Sequence, residues 1–252
     1  MSFSAVVLAG TRPGGDPLSG HEGVPHKALI DVGGEPMLAR VIAALREAGA
    51  ARIGVSCSHA AVAALARDHG AEVLPASSGP SDSAAQAFAK FGAPMVITTA
   101  DHALLLAEWV RQLLDDTPVS ADLSIMFAAR DRVEAAMPGS KRTWLRFADN
   151  QWSGCNLFFL ATPTAKRALD LWAGIEANRK RPWRIVARLG PRAILGYALG
   201  RLTLAGGLAT LGRRHGMAVA VVAAADGLAA VDVDKPSDLA DVRRIVAARA
   251  EG

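Results

Sequence analysis

The chain alternates short apolar runs with stretches of helical spacing. Ser4–Ala9 is a continuous apolar run ending at Gly10, the pattern of a strand buried on both faces of a parallel sheet. Pro36–Ala48 puts Met37, Leu38, Val41, Ile42 and Leu45 on one helical face. The rhythm continues with a strand over Arg52–Ser56, a helix over Ala60–His69 closed by Gly70, and a strand over Ala71–Leu74. A helix over Ser83–Lys90, a strand over Pro94–Thr99, a helix over Leu106–Leu114 and a strand over Leu123–Ala128 follow. This β-α-β-α order predicts an α/β fold, a mostly parallel sheet with helices on both faces.

The middle is less regular. Arg130–Asn150 is rich in charged and turn residues and predicts no regular element. Leu157–Leu160 predicts a strand, Ala165–Asn178 a helix, and Ala193–Leu211 an apolar helix interrupted by glycines. That last stretch suits a buried helix best; a membrane-contact helix or the face of a homodimer are the alternatives. Met217–Ala223 predicts a late strand and Ser237–Ala248 a closing helix. No repeat or Ser/Gly linker divides the chain. We therefore expect one domain: a nucleotide-binding part at about 1–128, an inserted subregion at about 129–215, and a closing strand and helix at about 216–252.

Composition narrows the class. With 252 residues, 51% hydrophobic and 21% charged, the chain can bury a full core and is neither disordered nor collagen-like. Asp226 interrupts the longest apolar candidate, Met217–Val231, so no transmembrane segment is expected. The N-terminus lacks a basic region before its apolar run, and Cys57 and Cys155 are far apart without a Cys-x-x-Cys. Both features suit a cytoplasmic protein with reduced, structural thiols. The net charge of +4 calls for an anionic partner without choosing one.

The candidate chemistry lies in loops. Leu8-Ala9-Gly10-Thr11-Arg12-Pro13-Gly14-Gly15-Asp16 follows the first strand. Such a loop can turn backbone N–H groups toward phosphate oxygens, and Arg12 and Lys27 could add charge, although a plain Gly-rich turn would look the same. No Gly-Lys-Ser/Thr follows, and the loop is not Gly-x-Gly-x-x-Gly, which excludes a Walker loop and disfavours a dinucleotide fold. Asp101 ends an apolar strand, where its carboxylate could bind a hard cation or cap a helix beginning near Leu104. Asp232 and Asp234 are two apart, so in an extended segment they point the same way; Ser237 or Asp238 could cap the helix behind them. Ser81 or Asp82 could cap the helix after Ser77-Ser78-Gly79-Pro80. Lys141–Arg146 and Arg179–Arg184 are basic-aromatic patches, each either a solvated loop or an anion site.

Together these pieces are more specific. Leu8-Ala9-Gly10…Arg12…Gly14, then Lys27-Ala28-Leu29…Gly33-Gly34-Glu35-Pro36-Met37-Leu38, resembles the sugar-nucleotide and MobA-like nucleotidyltransferase family. Later motifs come in that family's order, including Val231-Asp232-Val233-Asp234-Lys235-Pro236. The interval Asp16–Pro25, with His21 and Glu22, is longer than usual. The resemblance implies a Rossmann-like, GT-A-like three-layer α/β/α domain with an acceptor-binding insertion. It implies Arg12 and Lys27 as catalytic cations on an NTP, and nucleotide contacts from Leu8, Ala9, Gly10, Thr11, Gly14, Gly15, Ser78, Gly79 and Ser83. It implies Mg²⁺ on Asp101 and Asp234, with Asp232 an alternative, and acceptor contacts from Lys141, Arg142, Asn156 and Arg184.

The expected activity is Mg²⁺-dependent nucleotidyl transfer from an NTP, CTP first and GTP next, to a small phosphorylated or carboxylated acceptor. Nucleic acid is not the expected partner. Two other classes compete: a non-catalytic nucleotide- or nucleic-acid-binding protein on the same fold, and a metal-dependent glycosyltransferase. The last normally needs Asp-x-Asp after the central strand, where this chain has Thr99-Ala100-Asp101-His102-Ala103.

Overall fold

The computed structural model describes residues 2–11, 15–140, 142–177 and 190–251. Its strands are β1 (Phe3–Leu8), β2 (Asp31–Val32), β3 (Glu35–Pro36), β4 (Ala50–Cys57), β5 (Glu72–Pro75), β6 (Met95–Thr99), β7 (Leu123–Ala129), β8 (Leu145–Arg146), β9 (Gln151–Leu160) and β10 (Val219–Ala223). Its helices are α1 (Pro17–His21), α2 (Met37–Glu47), α3 (Ala60–Asp68), α4 (Pro80–Phe91), α5 (Ala107–Asp115), α6 (Arg130–Ala136), α7 (Lys166–Ala177), α8 (Pro191–Ala198), α9 (Leu204–Arg214) and α10 (Pro236–Glu251). The chain forms two compact units, Met1–Arg111 with Val231–Gly252, and Gln112–Ala230.

In the first unit β6, β1, β4 and β5 lie side by side, all parallel. Val6 and Val7 of β1, Val55 of β4 and Val96 of β6 are buried, as continuous apolar strands require. Met37, Leu38, Val41, Ile42 and Leu45 of α2 are all fully buried, each such side chain stabilising the fold by about 1.5–3 kcal/mol. The steps β1→β4 and β4→β5 run in one direction across the sheet, and β5→β6 runs back. Right-handed crossovers therefore put α2 and α3 on one face and α4 on the other. Contact between α2 and α3 agrees. This is the three-layer arrangement expected from the alternation of elements.

The second unit is mixed. β10 pairs parallel with β7, β9 pairs antiparallel with β7, and β8 pairs antiparallel with β9. Two expectations need correction here. The stretch expected to be irregular from Arg130 contains α6 and β8; helical packing against the 3-10 turn Gly227–Ala230 outweighs the weak local signal. The single helix expected over Ala193–Leu211 is two helices. Gly200 takes φ +64° after α8, and the Thr203 side chain accepts from Gly206 N–H to start α9. Among the described residues no helix is long and apolar enough to cross a membrane.

Between β7 and β9 the register jumps from Ile125↔Phe158 to Phe127↔Gly154. Asn156 lies in the extra residues of this bulge, at φ +50°. Bulges bend strands and re-aim side chains, and Asn tolerates left-handed backbone better than most residues.

Two packing constraints can be measured. A Cβ on Gly54 would lie 2.7 Å from a Phe91 ring carbon and 2.9 Å from Leu74 Cδ1. Gly54→Ala should therefore cost about 1–3 kcal/mol in urea unfolding, as overpacking does; a neutral result would mean the β4 face has room. Asn156→Ala should be less stable than Asn156→Gly by about 1 kcal/mol in the same assay, because only glycine adopts positive φ without strain; equal stabilities would refute strain at the bulge.

Candidate active site

The first unit's strands end level. Leu8 is in register with Ser56 of β4 and Thr99 of β6. Ala9 N–H donates to Ser56 O at 2.9 Å, Ala100 N–H to Leu8 O at 3.0 Å, and Ala76 N–H to Cys57 O at 3.3 Å. The loops after β1, β4, β5 and β6 therefore leave from one edge. Between β1 and β6 the strand order reverses. In open α/β sheets ligands bind at the C-terminal strand ends beside such a reversal.

Lys27 occupies a 3-10 turn, Lys27–Leu29, capped by the His26 ring, whose Nδ1 accepts from Ala28 N–H at 3.0 Å. Its ammonium donates to Asp101 Oδ2 at 2.9 Å and to Asp234 Oδ1 at 2.8 Å. The Lys27 and Asp101 side chains are only 14% and 22% exposed, whereas Asp234 is 59% exposed. The Asp101 contact is thus the less screened of the two. Backbone bonds carry Asp234 to this position: Val233 N–H donates to Asp101 O at 3.1 Å, and Asp234 N–H to Asp238 Oδ2 at 3.2 Å. Asp238 thus holds the approach to α10. Burial by itself would lower the Lys27 pKa, but the two carboxylates outweigh it and the net shift is upward from 10.5.

Several buried polar atoms at this edge complete no hydrogen bond: Asp101 Oδ1, Thr99 Oγ1 and Ser77 Oγ. A buried polar atom left so costs about 1–3 kcal/mol, and clusters of them mark places where a ligand supplies the partners. Asp101 Oδ1 is also a hard oxygen donor, the kind of ligand Mg²⁺ takes.

The structure brings Lys27, Asp101 and Asp234 together. Asp101 does not cap α5, which starts only at Ala107. Asp232 is half-buried between buried Val231 and Val233. Leu8 and Ala9 are buried, and the Ala9 N–H is already engaged in the sheet; Gly10, Thr11 and Gly15 are exposed beyond them. Gly79 is the N-cap of α4, so neither Ser81 nor Asp82 occupies the cap position. Ser78 is exposed and bonds Asp82, while Ser83 is buried and its Oγ accepts from Ser77 N–H at 3.0 Å. In the second unit, Arg142 donates to Ala230 O and Asn156 sits on the bulge. Arg12, Gly14, Lys141 and Arg184 lie outside the described residues. Cys57 and Cys155 are buried and not joined in a disulfide, and burial pushes the Cys57 pKa up, so that thiol stays protonated at neutral pH. Sequence reasoning missed His26, Ser77 and Thr99. Only their positions beside Lys27, Ser78 and Asp101 could have drawn attention to them.

Known proteins resemble this chain in sequence and fold. The structure of a hypothetical transferase from Thermus thermophilus matches with TM-score 0.81 and 30% identity, covering 95% of this chain and 100% of that one. CMP:2-keto-3-deoxy-manno-octonic acid synthetase complexed with CTP matches with TM-score 0.61 and 17% identity over 99% of this chain and 100% of that one, a likeness of Rossmann-like fold. The bifunctional protein GlmU of Rhizorhabdus wittichii is 30% identical over 208 residues, 75% of this chain and 42% of that protein. The chain therefore spans less than half the length of that curated relative. The family description "MobA-like NTP transferase domain" matches residues 5–189, most of the chain. With the Gly-rich loop, Lys27 and Asp101 at one strand edge, the chain belongs to the MobA-like NTP transferase family.

Proposed function

We propose that this protein is a Mg²⁺-dependent nucleotidyltransferase that joins an NTP to a small anionic acceptor and releases pyrophosphate. The observation that carries this reading is the bridge from Lys27 to Asp101 and Asp234 at the edge where the Gly-rich loop begins. An acceptor phosphate oxygen attacks the α-phosphorus, the bond to the bridging oxygen of the β-phosphate breaks, and pyrophosphate leaves with that electron pair. No general base is needed when the acceptor is already a phosphate. Positioning and charge neutralisation are what the protein must supply.

Lys27 is suited to the second task because it is charged and held. Asp101, through its unpartnered Oδ1, and Asp234 would hold Mg²⁺. Among the described residues no three His, Cys, Asp or Glu side chains gather around a metal position, so phosphate oxygens would complete the shell. The ion would neutralise developing charge on the phosphates. Arg12, Gly10, Thr11, Gly14 and Gly15 would line the triphosphate, and Ser78, Gly79 and Ser83 the nucleoside. Asn156, Arg142, Lys141 and Arg184 would recognise the acceptor. We place CTP first and GTP second. The CTP-bound neighbour supports that order only through its fold.

Pyrophosphate release is the decisive assay, run with each NTP and a panel of phosphorylated acceptors. Lys27→Met and Asp101→Asn should each lower kcat/KM by about 10²–10³ with circular dichroism unchanged, the scale of losing one group aimed at developing charge. Absence of turnover with every NTP and acceptor would sink the enzyme reading. NTP binding that ignores Asp101→Asn would favour the non-catalytic alternative. The raised Lys27 pKa also fixes a pH expectation: its charge is fully present below 10.5 and is lost only as pH rises through the still higher native value. Lys27 should therefore add no alkaline limb to the rate profile below that pH, and a limb below it that disappears in Lys27→Arg would contradict the assignment.

A further inference from the structure

His26 is 5% exposed and stands immediately before Lys27. Its Nδ1 accepts the Ala28 N–H, so that nitrogen carries no proton, and the proton of the neutral ring sits on Nε2. Nε2 is buried, with the Ala9 backbone as its neighbour. Most helix and turn caps are Ser, Thr, Asp or Asn, which do not lose their acceptor near neutral pH. An imidazole cap does. Once Nδ1 is protonated it is a donor facing a donor, and the turn that presents Lys27 loses its first bond.

A second imidazole of the same kind stands next to it. His59, the N-cap of α3, accepts from Ala61 N–H through its own Nδ1 at 3.2 Å. The two rings are 5.8 Å apart, tilted at 46°. His26 must stay unprotonated at Nδ1 to keep its cap, and the neighbouring His59 ring opposes a charge on it.

We propose that His26 is a positioning residue for Lys27: its bare Nδ1 holds the 3-10 turn that delivers the ammonium to the triphosphate, so nucleotide binding fails when that nitrogen is protonated. The inference rests on the transferase reading above for its ligand. The groups facing the ring are His59 from α3, Asp16 from the start of α1, the Ala9 backbone after β1, and Lys27 itself. Burial first, and then His59, hold the ring below the ordinary 6.5; Lys27 pushes the same way, and Asp16 and Ala9 oppose it. The sign follows. The cap is intact above 6.5 and is lost as pH falls through the lower native value.

The test uses the full chain and two substitutions. His26→Asn keeps an acceptor at the cap and cannot titrate; His26→Leu has none. Calorimetric binding of CTP, and separately GTP, with Mg²⁺ is measured from pH 8 to pH 5, with circular dichroism at each pH. Wild type should lose affinity by up to about tenfold per pH unit once the ring titrates, as for one linked proton. His26→Asn should bind within about threefold of wild type at pH 8 and lack that part of the loss, while His26→Leu should bind about tenfold more weakly throughout, the worth of one capping bond. The nucleotide's own protonation, with a second phosphate pKa of about 6, is common to all three and cancels in the comparison. An acid loss in His26→Asn equal to wild type, or full affinity in folded His26→Leu, would overturn the proposal.

A nucleotide-free readout separates this inference from the transferase reading. In ¹⁵N spectra His26 should be the Nε2–H tautomer at pH 8. The Lys27 backbone amide should shift with acid in wild type and not in His26→Asn. The opposite tautomer, or identical Lys27 shifts, would refute the positioning role even if nucleotide binds. Absence of binding by wild type at pH 8, with both spectral expectations met, would overturn the transferase reading and leave the cap standing.

Discussion

The candidate site depends on one ammonium between two carboxylates. Lys27 reaches Asp101 across 74 residues of sequence and Asp234 across 207. Asp101 is half-buried, and its charge inside the protein edge needs a counter-charge that water supplies poorly. Lys27 meets that need. In doing so it ties the turn after the Gly-rich loop, the end of β6 and the approach to α10 to one point. The same charges are the ones a metal–triphosphate complex would engage.

This bridge is possible because the strands of the first unit end in register. A parallel sheet sends every strand's C-terminal end to one edge, so residues far apart in sequence emerge as neighbours. The hydrogen bonds Ala9–Ser56 and Ala100–Leu8 fix that edge to within about one residue. Smaller bonds then aim the side chains. The His26 ring fixes the Lys27 turn, Ser83 fixes the Ser77 backbone, and Asp238 fixes the Asp234 backbone. Several polar atoms there remain without partners, a cost a fold tolerates where a ligand is to satisfy them.

Much of this was legible in the sequence. The apolar spacing of Met37, Leu38, Val41, Ile42 and Leu45 announces α2, and all five are buried. The acid at the end of an apolar strand announces Asp101. The irregular stretches were less legible, because their order comes from contacts rather than from spacing. The helix from Arg130 has no clear apolar stripe and is held by the turn at Gly227–Ala230. The break between α8 and α9 depends on one positive φ at Gly200 and one Thr203 cap, in a stretch with several other glycines. The Ser83 hydroxyl accepts from the Ser77 backbone six residues earlier, a contact that no spacing announces.

By itself the sequence determined the α/β alternation, the placing of the Gly-rich loop after the first strand, and the inventory of cations and acids. These follow from periodicity and turn chemistry, which act over a few residues. Only the tertiary structure decided that Asp234 meets Lys27, that Asn156 sits on a bulge, and that His26 presents a bare Nδ1 to the Lys27 turn. Those outcomes depend on strand order, register and burial. They arise between segments that share no local pattern, and no spacing along the chain encodes them.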